Sequence, residues 1–146
     1  MSERVAHRRS HAAGVTLHYV DARIDTGDVI AQRRVEMEAV DTAGTLYRKL
    51  EEAAFDLFCR TWPQIRAGHV QRAAQSGQTG TFHFLRELES LGEIDLERSY
   101  TGRELINILR ARTFHPYPGA FFRDGDGRRV HVRLELEYGD ESSDRN

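Results

Sequence analysis

The apolar residues of this chain change their spacing several times, and these changes restrict the fold more than any other feature. Val15, Leu17 and Tyr19 alternate with their neighbours, and β-branched residues favour an extended strand there. Between Leu46 and Phe58 the apolar residues recur every three or four positions, which gives a helix one apolar face. The sequence therefore predicts a mixed α/β fold.

Turn, capping and proline residues indicate where these elements begin and end. A second extended run is predicted over 29–37, and Asp41 or Thr42 is predicted to cap the helix that follows. Trp62-Pro63 is predicted to disturb this helix, because the residue before proline is pushed away from helical backbone angles. Gly68 is the predicted stop.

The last third of the chain carries a second helix signal and a hairpin signal. Thr101 and Glu104 match a capping box, in which each side chain satisfies a main-chain N–H of the other residue. The sequence Asp-Gly-Asp-Gly at 124–127 predicts a tight turn. Alternation continues from Val130 to Tyr138, so residues 121–138 are predicted to form a hairpin whose apolar face needs a cover.

Composition limits the class of protein. The 146 residues allow one domain, predicted over 13–139 between a polar segment 1–12 and an acidic tail 140–146. The formal net charge of -2 excludes a strongly basic nucleic-acid module. No apolar run approaches the ~20 residues that span a bilayer, so no membrane partner is expected. The single cysteine, Cys59, fits a reducing cytoplasm.

The turn that follows the first strand is the first candidate site. It reads Asp25-Thr26-Gly27-Asp28, and glycine lets a ligand approach the main chain. His18, on the strand entering this turn, is placed to orient a carboxylate or share its proton. The alternative is a structural turn whose Asp side chains bind their own backbone, beside a half-buried structural histidine. No His, Cys, Asp and Glu spacing resembles a metal site.

A second candidate site lies at the end of the second predicted helix. Arg110 and Arg112 could grip phosphate, and Phe114 or Tyr117 could stack on a base. The alternative is an ordinary helix C-terminus, where cations complement the helix dipole and aromatic rings pack into the core.

Four ordered blocks together resemble a known family. The blocks are residues 14–21 with 24–32, residues 45–50, residues 92–96, and residues 109–114 with 116–121, and the resemblance extends over 13–138. They are similar to the folate-dependent formyltransferases, which include methionyl-tRNA, glycinamide-ribonucleotide and sugar N-formyltransferases. The resemblance implies transfer of a formyl group from 10-formyltetrahydrofolate to a primary amine through a tetrahedral intermediate.

The same resemblance implies roles for the residues of the first candidate site. Asp25, of the family's Asp-x-Gly loop, would relay the proton that the attacking amine loses, and His18 would support that carboxylate. Ile24, Asp25, Thr26, Gly27 and Asp28 would lie near the pterin of the formyl donor.

The family's Asn-x-His-Pro-Ser-x-Leu-Pro motif, which carries the catalytic Asn and His, has no match in this chain. The resemblance therefore implies the C-terminal half of a formyltransferase fold, with at most trace activity of this polypeptide alone.

The combination of residues 94–96, the stretch 107–114 and the terminal hairpin most resembles the sugar-nucleotide branch. This branch implies an amino-sugar nucleotide as substrate, contacts from the 110–117 region, and a homodimer formed through the C-terminal hairpin. Two alternatives remain: a truncated methionyl-tRNA formyltransferase, for which tRNA would be the nucleic-acid partner, and a non-catalytic dimerisation module.

Overall fold

The computed structural model describes residues 13–22, 26–75 and 92–139. In the described residues the chain forms four strands and two helices. Their bounds are β1 Ala13–His18, β2 Val29–Val35, α1 Ala43–Arg66, α2 Gly102–Arg112, β3 Ala120–Arg123 and β4 Arg129–Val132. The predicted mixed α/β class is confirmed.

The chain divides into two compact units, one comprising Met1–Met37 and Arg48–Gln78, the other Glu38–Tyr47 and Thr79–Asn146. In the described segments neither helix combines the length and the apolarity that crossing a bilayer requires. The terminal segments 1–12 and 140–146 lie outside the described residues, so the predicted domain limits stay a prediction.

In the first unit, β1 and β2 form an antiparallel ribbon. Ala13 pairs with Val35, and the register runs regularly to the pair of Leu17 with Ala31. An irregularity between Leu17 and His18 then shifts the register, so that His18 pairs with Val29. Such a bulge re-aims the side chain beside it, and here it comes where the ribbon enters the candidate turn.

The first helix continues through the proline that was predicted to disturb it. Pro63 was expected to disturb it, yet α1 continues through Pro63 to Arg66. Proline removes one main-chain donor, but the N–H of Ala67 still donates to the Pro63 carbonyl at 3.1 Å. Gly68, with φ of 72°, has the left-handed conformation of a helix C-cap, so the predicted stop is confirmed.

The predicted apolar face of α1 is buried only in part. Ala53 is buried, and Leu46, Leu50 and Leu57 are half-buried, as the spacing predicted. Ala54 and Phe58, which were assigned to the same face, are exposed.

In the second unit, α2 begins as predicted. The Thr101 hydroxyl accepts from the Glu104 N–H at 3.2 Å, and the Glu104 carboxylate accepts from the Thr101 N–H at 2.8 Å. The capping box is therefore confirmed.

The terminal hairpin is shorter than predicted. β4 ends at Val132, and residues 133–138 form no strand although their alternation continues. The physical reason is the partner: β3 begins at Ala120, which pairs with Val132, and nothing in β3 extends beyond that pair. Instead of entering a ladder, the Leu134 N–H donates to the Thr113 hydroxyl at 3.0 Å. The predicted turn over 124–127 is confirmed, with the Gly127 N–H donating to the Asp124 carbonyl at 2.9 Å.

Buried apolar side chains of this unit centre on β3. Ala120 is fully buried and Phe121 is 6% exposed. The Phe121 main chain also bridges a second segment, donating to the Gly92 carbonyl at 2.8 Å and accepting from the Ile94 N–H at 2.7 Å. These bonds fix the 92–94 segment beside the hairpin.

Candidate functional site

Main-chain and side-chain hydrogen bonds close the turn between β1 and β2. The Tyr19 N–H donates to the Asp28 carbonyl at 3.0 Å. On the exposed side the Thr26 hydroxyl donates to both carboxylate oxygens of Asp21, at 2.7 and 2.8 Å. The segment that leaves β1 is thus tied at two points to the segment that enters β2.

Gly27 is required by the geometry of this turn. A Cβ at this position would lie 1.6 Å from the Tyr19 carbonyl oxygen and 2.5 Å from its carbon. Because these atoms belong to the main chain, no rotation of a side chain can relieve the overlap. The close approach that glycine permits here is between two stretches of the chain itself.

His18 lies half-buried at the mouth of the turn. Its Nδ1 is 2.9 Å from the Tyr19 carbonyl oxygen, which can only accept, so Nδ1 carries the proton. A neutral ring then has its lone pair on Nε2. This tautomer suits a histidine that accepts a proton, or orients an acid, through Nε2.

The structure brings Thr26, Gly27 and Asp28 together in the turn with His18 beside it. Asp25 and Ile24, predicted as catalytic carboxylate and pterin contact, lie outside the described residues. The roles of all five turn residues and of His18 stay predictions.

Residues 72–75, which support the turn, were not identified from the sequence. The Gln75 side-chain amide donates to the Gly27 carbonyl at 2.7 Å, and Val29 and Ala73 exchange main-chain hydrogen bonds of 2.8 and 3.0 Å. The Arg72 guanidinium lies 4.0 Å from the centre of the Tyr19 ring. These contacts join residues more than 40 positions apart, and no spacing in the sequence signals them.

At the second candidate site the two arginines differ in environment. Arg110 donates from Nε to the Asp41 carbonyl at 2.6 Å and from Nη2 to the Glu38 carbonyl at 2.8 Å. The structure thus gives Arg110 a role in holding the loop before α1. Its predicted contact with substrate stays a prediction.

Arg112 packs against a glycine instead. A Cβ on Gly92 would lie 2.8 Å from the Arg112 Nε, so only glycine leaves this side chain its position. Within the described residues, Nε of Arg112 is buried and has no hydrogen-bond partner. An uncompensated buried donor costs free energy.

The two predicted aromatic residues belong to one cluster. The rings of Phe114 and Tyr117 meet edge to face at 5.3 Å between centroids. Tyr47, which sequence reasoning did not include, contacts Phe114 at 5.1 Å. Tyr47 lies in the first turns of α1, far from the others in sequence.

A charged cleft of about 510 Å³ lies elsewhere, between the end of β2 and α1 of the first unit. Asp56 ion-pairs there with Arg33, and it accepts from Arg60 at 2.9 Å. Of the described residues, neither His18 nor Thr26, Gly27 or Asp28 of the turn lines this cleft. In the described part of the chain, no three His, Cys, Asp or Glu side chains are grouped so that they could hold a metal ion.

Comparison with known proteins identifies the family. A family described as "Formyl transferase" matches residues 2–61, and one described as "N-formyltransferase dimerization C-terminal domain" matches residues 87–138. The chain belongs to the formyltransferases, as the sequence resemblance predicted.

One relative in these comparisons is named for an amino-sugar substrate. The chain is 34% identical over 124 residues to a dTDP-4-amino-4,6-dideoxyglucose formyltransferase from Mycobacterium bovis, covering 85% of this chain and 53% of the relative. The crystal structure of a 4-N formyltransferase from Francisella tularensis has 33% identity and a TM-score of 0.77, over 84% of this chain and 50% of that one. The chain thus spans about half the length of these relatives.

A methionyl-tRNA formyltransferase from Clostridium thermocellum is less similar. It has 20% identity and a TM-score of 0.59, over 87% of this chain and 57% of that chain. This likeness shows a shared fold alone, and the tRNA alternative is not favoured.

Proposed function

We propose that this chain forms part of an N-formyltransferase that moves a formyl group from 10-formyltetrahydrofolate to the primary amine of a nucleotide-linked amino sugar. The observation that carries the proposal is the 34% identity, over 85% of the chain, to an enzyme named for a dTDP-linked amino sugar. The closed turn between β1 and β2 supports it, because Gly27 and its contact with Tyr19 hold the ends of the segment that contains Asp25.

The roles of the turn residues follow from their chemistry. The amine nitrogen bonds to the formyl carbon and loses one proton, which a nearby carboxylate can receive. The bond between the formyl carbon and N10 of the donor breaks, and N10 takes up a proton, so that tetrahydrofolate leaves. Asp25 is assigned this task. His18, whose ring is oriented by the Tyr19 carbonyl, is assigned the support of Asp25 through Nε2.

The formyl donor is a substrate that binds and leaves. The main chain of Ile24, Asp25, Thr26, Gly27 and Asp28 would hold its pterin, since main-chain N–H and C=O groups suit the polar edge of that ring. When bound, the donor supplies the formyl group. The residues assigned to the sugar-nucleotide substrate are Arg110, Arg112, Phe114 and Tyr117. Arg110 also donates from Nε and Nη2 to two carbonyls of the loop before α1.

The proposed assembly is a homodimer formed through the C-terminal hairpin, in the cytoplasm. The family matched by residues 87–138 is described as a dimerisation domain. The segment after β4 supports the hairpin as the contact, since Tyr138 is 65% exposed and β3, which begins at Ala120, has no earlier residue to pair with this segment.

The experiment is formyl transfer by a chimera that joins this chain to the part of the Mycobacterium bovis relative that it does not match. Product from 10-formyltetrahydrofolate and a dTDP-4-amino sugar is expected, and Asp25→Asn should lower the rate by about 100-fold or more. Asp126→Asn, at an exposed position in the hairpin turn, is the matched control and should leave the rate unchanged. A folded chimera that formylates only methionyl-tRNA, or that keeps its rate in Asp25→Asn, contradicts the proposal.

A further inference from the structure

One side of α1 carries three exposed aromatic residues, Phe55, Phe58 and Trp62, and is named here the aromatic face. Phe55 is 72% exposed, Phe58 is 42% exposed and Trp62 is 45% exposed. The three residues follow one another at intervals of three and four positions, so their side chains lie along one side of the helix. The rings of Phe58 and Trp62 stack, with 5.4 Å between their centroids and 24° between their planes. The rings thus form a row and not three scattered surface side chains.

The aromatic face is not the side by which α1 packs within its own unit. Ala53 is 5% exposed and Thr61 is 9% exposed, and these two positions mark the buried side. Asp56 ion-pairs with Arg33 of β2, so the side that carries Asp56 faces the ribbon. Phe58 follows Asp56 by two positions, which is a rotation of about 200° around the helix axis. The aromatic face therefore points away from the β1–β2 ribbon.

The exposed area is too large to be incidental. At about 200 Å² for each ring, the exposed fractions leave about 300 Å² of aromatic surface in contact with water. Single apolar side chains on a surface are ordinary, whereas a contiguous patch of this size marks an interaction surface. Glu51 and Arg66, both exposed, lie one turn before Phe55 and one turn after Trp62. An apolar centre with charged residues at its edge is the usual arrangement of a protein–protein contact.

The comparisons indicate which protein surface would cover this face. Residues 2–61, which include Phe55 and Phe58, match the family described as "Formyl transferase". The chain covers 53% of the Mycobacterium bovis relative, so about half of that relative has no counterpart here. The match described as a dimerisation domain covers residues 87–138 and contains no part of α1. A second copy of this chain is thus expected at another segment, which leaves the aromatic face for the half without a counterpart.

We infer that the aromatic face of α1 is a docking surface for the half of the formyltransferase that this chain does not match, and that Phe55, Phe58 and Trp62 are buried in that contact. The inference rests on the proposed function, which makes this chain one part of a larger formyltransferase. Aromatic rings that become buried at the centre of a contact supply much of its binding free energy. The contact therefore needs no covalent link, and the two parts should associate as separate polypeptides.

The first test compares the same substitutions in the 146-residue chain and in the chimera. Phe58→Ala and Trp62→Ala should each lower the melting temperature of the chimera by about 5 °C or more, because a buried ring is lost. In the chain alone the same rings are partly in water, and the shift should be less than half as large. Gln64→Ala is the matched control, since Gln64 is exposed and lies two positions beyond Trp62, on another side of the helix. It should change neither protein.

The second test uses Trp62, the single tryptophan of the sequence, as a reporter of the contact. Acrylamide should quench its fluorescence less in the chimera than in the chain alone, with the Trp62→Phe chimera serving to subtract any other tryptophan. As a third test, the unmatched half of the Mycobacterium bovis relative is expressed as a separate polypeptide together with this chain. The two should co-purify, and Phe58→Ser with Trp62→Ser should abolish this while circular dichroism shows that the helices remain.

Equal melting shifts in chain and chimera overturn the inference, and so does unchanged quenching of Trp62. A chimera that does not fold, combined with failure of the two parts to co-purify, overturns it as well. If Phe58→Ser with Trp62→Ser reduces a two-chain mass of the 146-residue protein to one chain, the face binds a second copy and the inference is wrong. Formylation of a dTDP-4-amino sugar by a chimera that is insensitive to these substitutions means that the proposed function stands and this docking surface does not. Docking without formyl transfer means the reverse.

Discussion

Arg110 binds the main chain of the loop before α1 at two points, through Nε to the Asp41 carbonyl at 2.6 Å and through Nη2 to the Glu38 carbonyl at 2.8 Å. Asp41 is itself buried, and its carboxylate accepts from the Glu38 N–H at 2.7 Å. The Asp41 carboxylate and the carbonyls of Glu38 and Asp41 therefore all have hydrogen-bond donors. Arg110, near the end of α2, thereby holds the loop that precedes α1 within the second unit.

Replacing Arg110 should destabilise that unit. Arg110→Met removes both charged donors and leaves two carbonyls without them, which costs about 2 kcal/mol. Arg110→Lys should recover less than half of this loss, because one ammonium cannot reproduce the fork of Nε and Nη2. Urea unfolding measures both, with Arg103→Met on the exposed part of α2 as the control. Equal midpoints for Arg110→Met and Arg103→Met would show that the two hydrogen bonds contribute nothing.

Gly27→Ala should open the turn between β1 and β2. The new Cβ overlaps the Tyr19 carbonyl, so the main chain must move, at a cost of about 2 kcal/mol or more. Gly125→Ala is the control, since a Cβ there meets nothing within 4 Å. Thermal unfolding compares the two variants. If the two variants have the same melting temperature, Gly27 is not in close contact with the Tyr19 carbonyl.

The capping box at α2 predicts a pH dependence. The Thr101 N–H and hydroxyl, with Arg98 nearby, lower the pKa of the Glu104 carboxyl below its ordinary value. A lowered pKa in the folded state means that Glu104 stabilises the fold above its unfolded pKa, and that this stabilisation is lost as the pH falls through its folded pKa. Glu104→Gln removes this contribution at every pH. The difference in unfolding free energy between the parent chain and the variant should therefore become smaller as the pH falls. Unfolding curves at neutral and acidic pH measure it, and a difference independent of pH would contradict the assignment.

Local patterns predicted the elements whose determinants lie close together in the sequence. The capping box of Thr101 and Glu104 and the turn over 124–127 are of this kind, because their hydrogen bonds join residues two to four positions apart. The errors have equally physical causes. Pro63 falls in the last turn of a long helix, where one missing donor does not end it, and the strand after Val132 stops because β3 is short.

The sequence predicted only those site residues whose side-chain type itself suggests a chemical role. Phe114 and Tyr117 stand out beside two arginines, but Tyr47 joins them only through the packing of α1 onto the chain at Thr113. Likewise Gln75 reaches Gly27 across 48 positions. Tertiary contacts of this range leave no periodic signal in a single sequence, so these residues could not be found before the structure.

The proposed dimer predicts that charge on the apolar face of the hairpin separates the subunits. Val132→Asp with Leu134→Asp places two carboxylates at half-buried positions of the terminal segment. Light scattering should then report the mass of one chain, because burying an unpaired carboxylate in an interface is strongly unfavourable. Glu135→Lys, at an exposed position of the same segment, should keep the mass of two chains. A mass of two chains in the double variant assigns the contact to another surface.

Two substitutions of His18 can separate its structural role from its chemical role. In the formyl-transferring chimera, His18→Asn supplies an amide N–H to the Tyr19 carbonyl, which the Nδ1 of His18 contacts at 2.9 Å, but it has no titratable nitrogen. If His18 supports proton transfer through Asp25, His18→Asn should lower kcat by about tenfold or more and change the pH–rate profile, with folding stability nearly retained. His18→Ala should lower kcat as well and also reduce stability, because the donor to Tyr19 is lost. Full activity with an unchanged pH profile in His18→Asn would restrict His18 to its hydrogen bond with Tyr19.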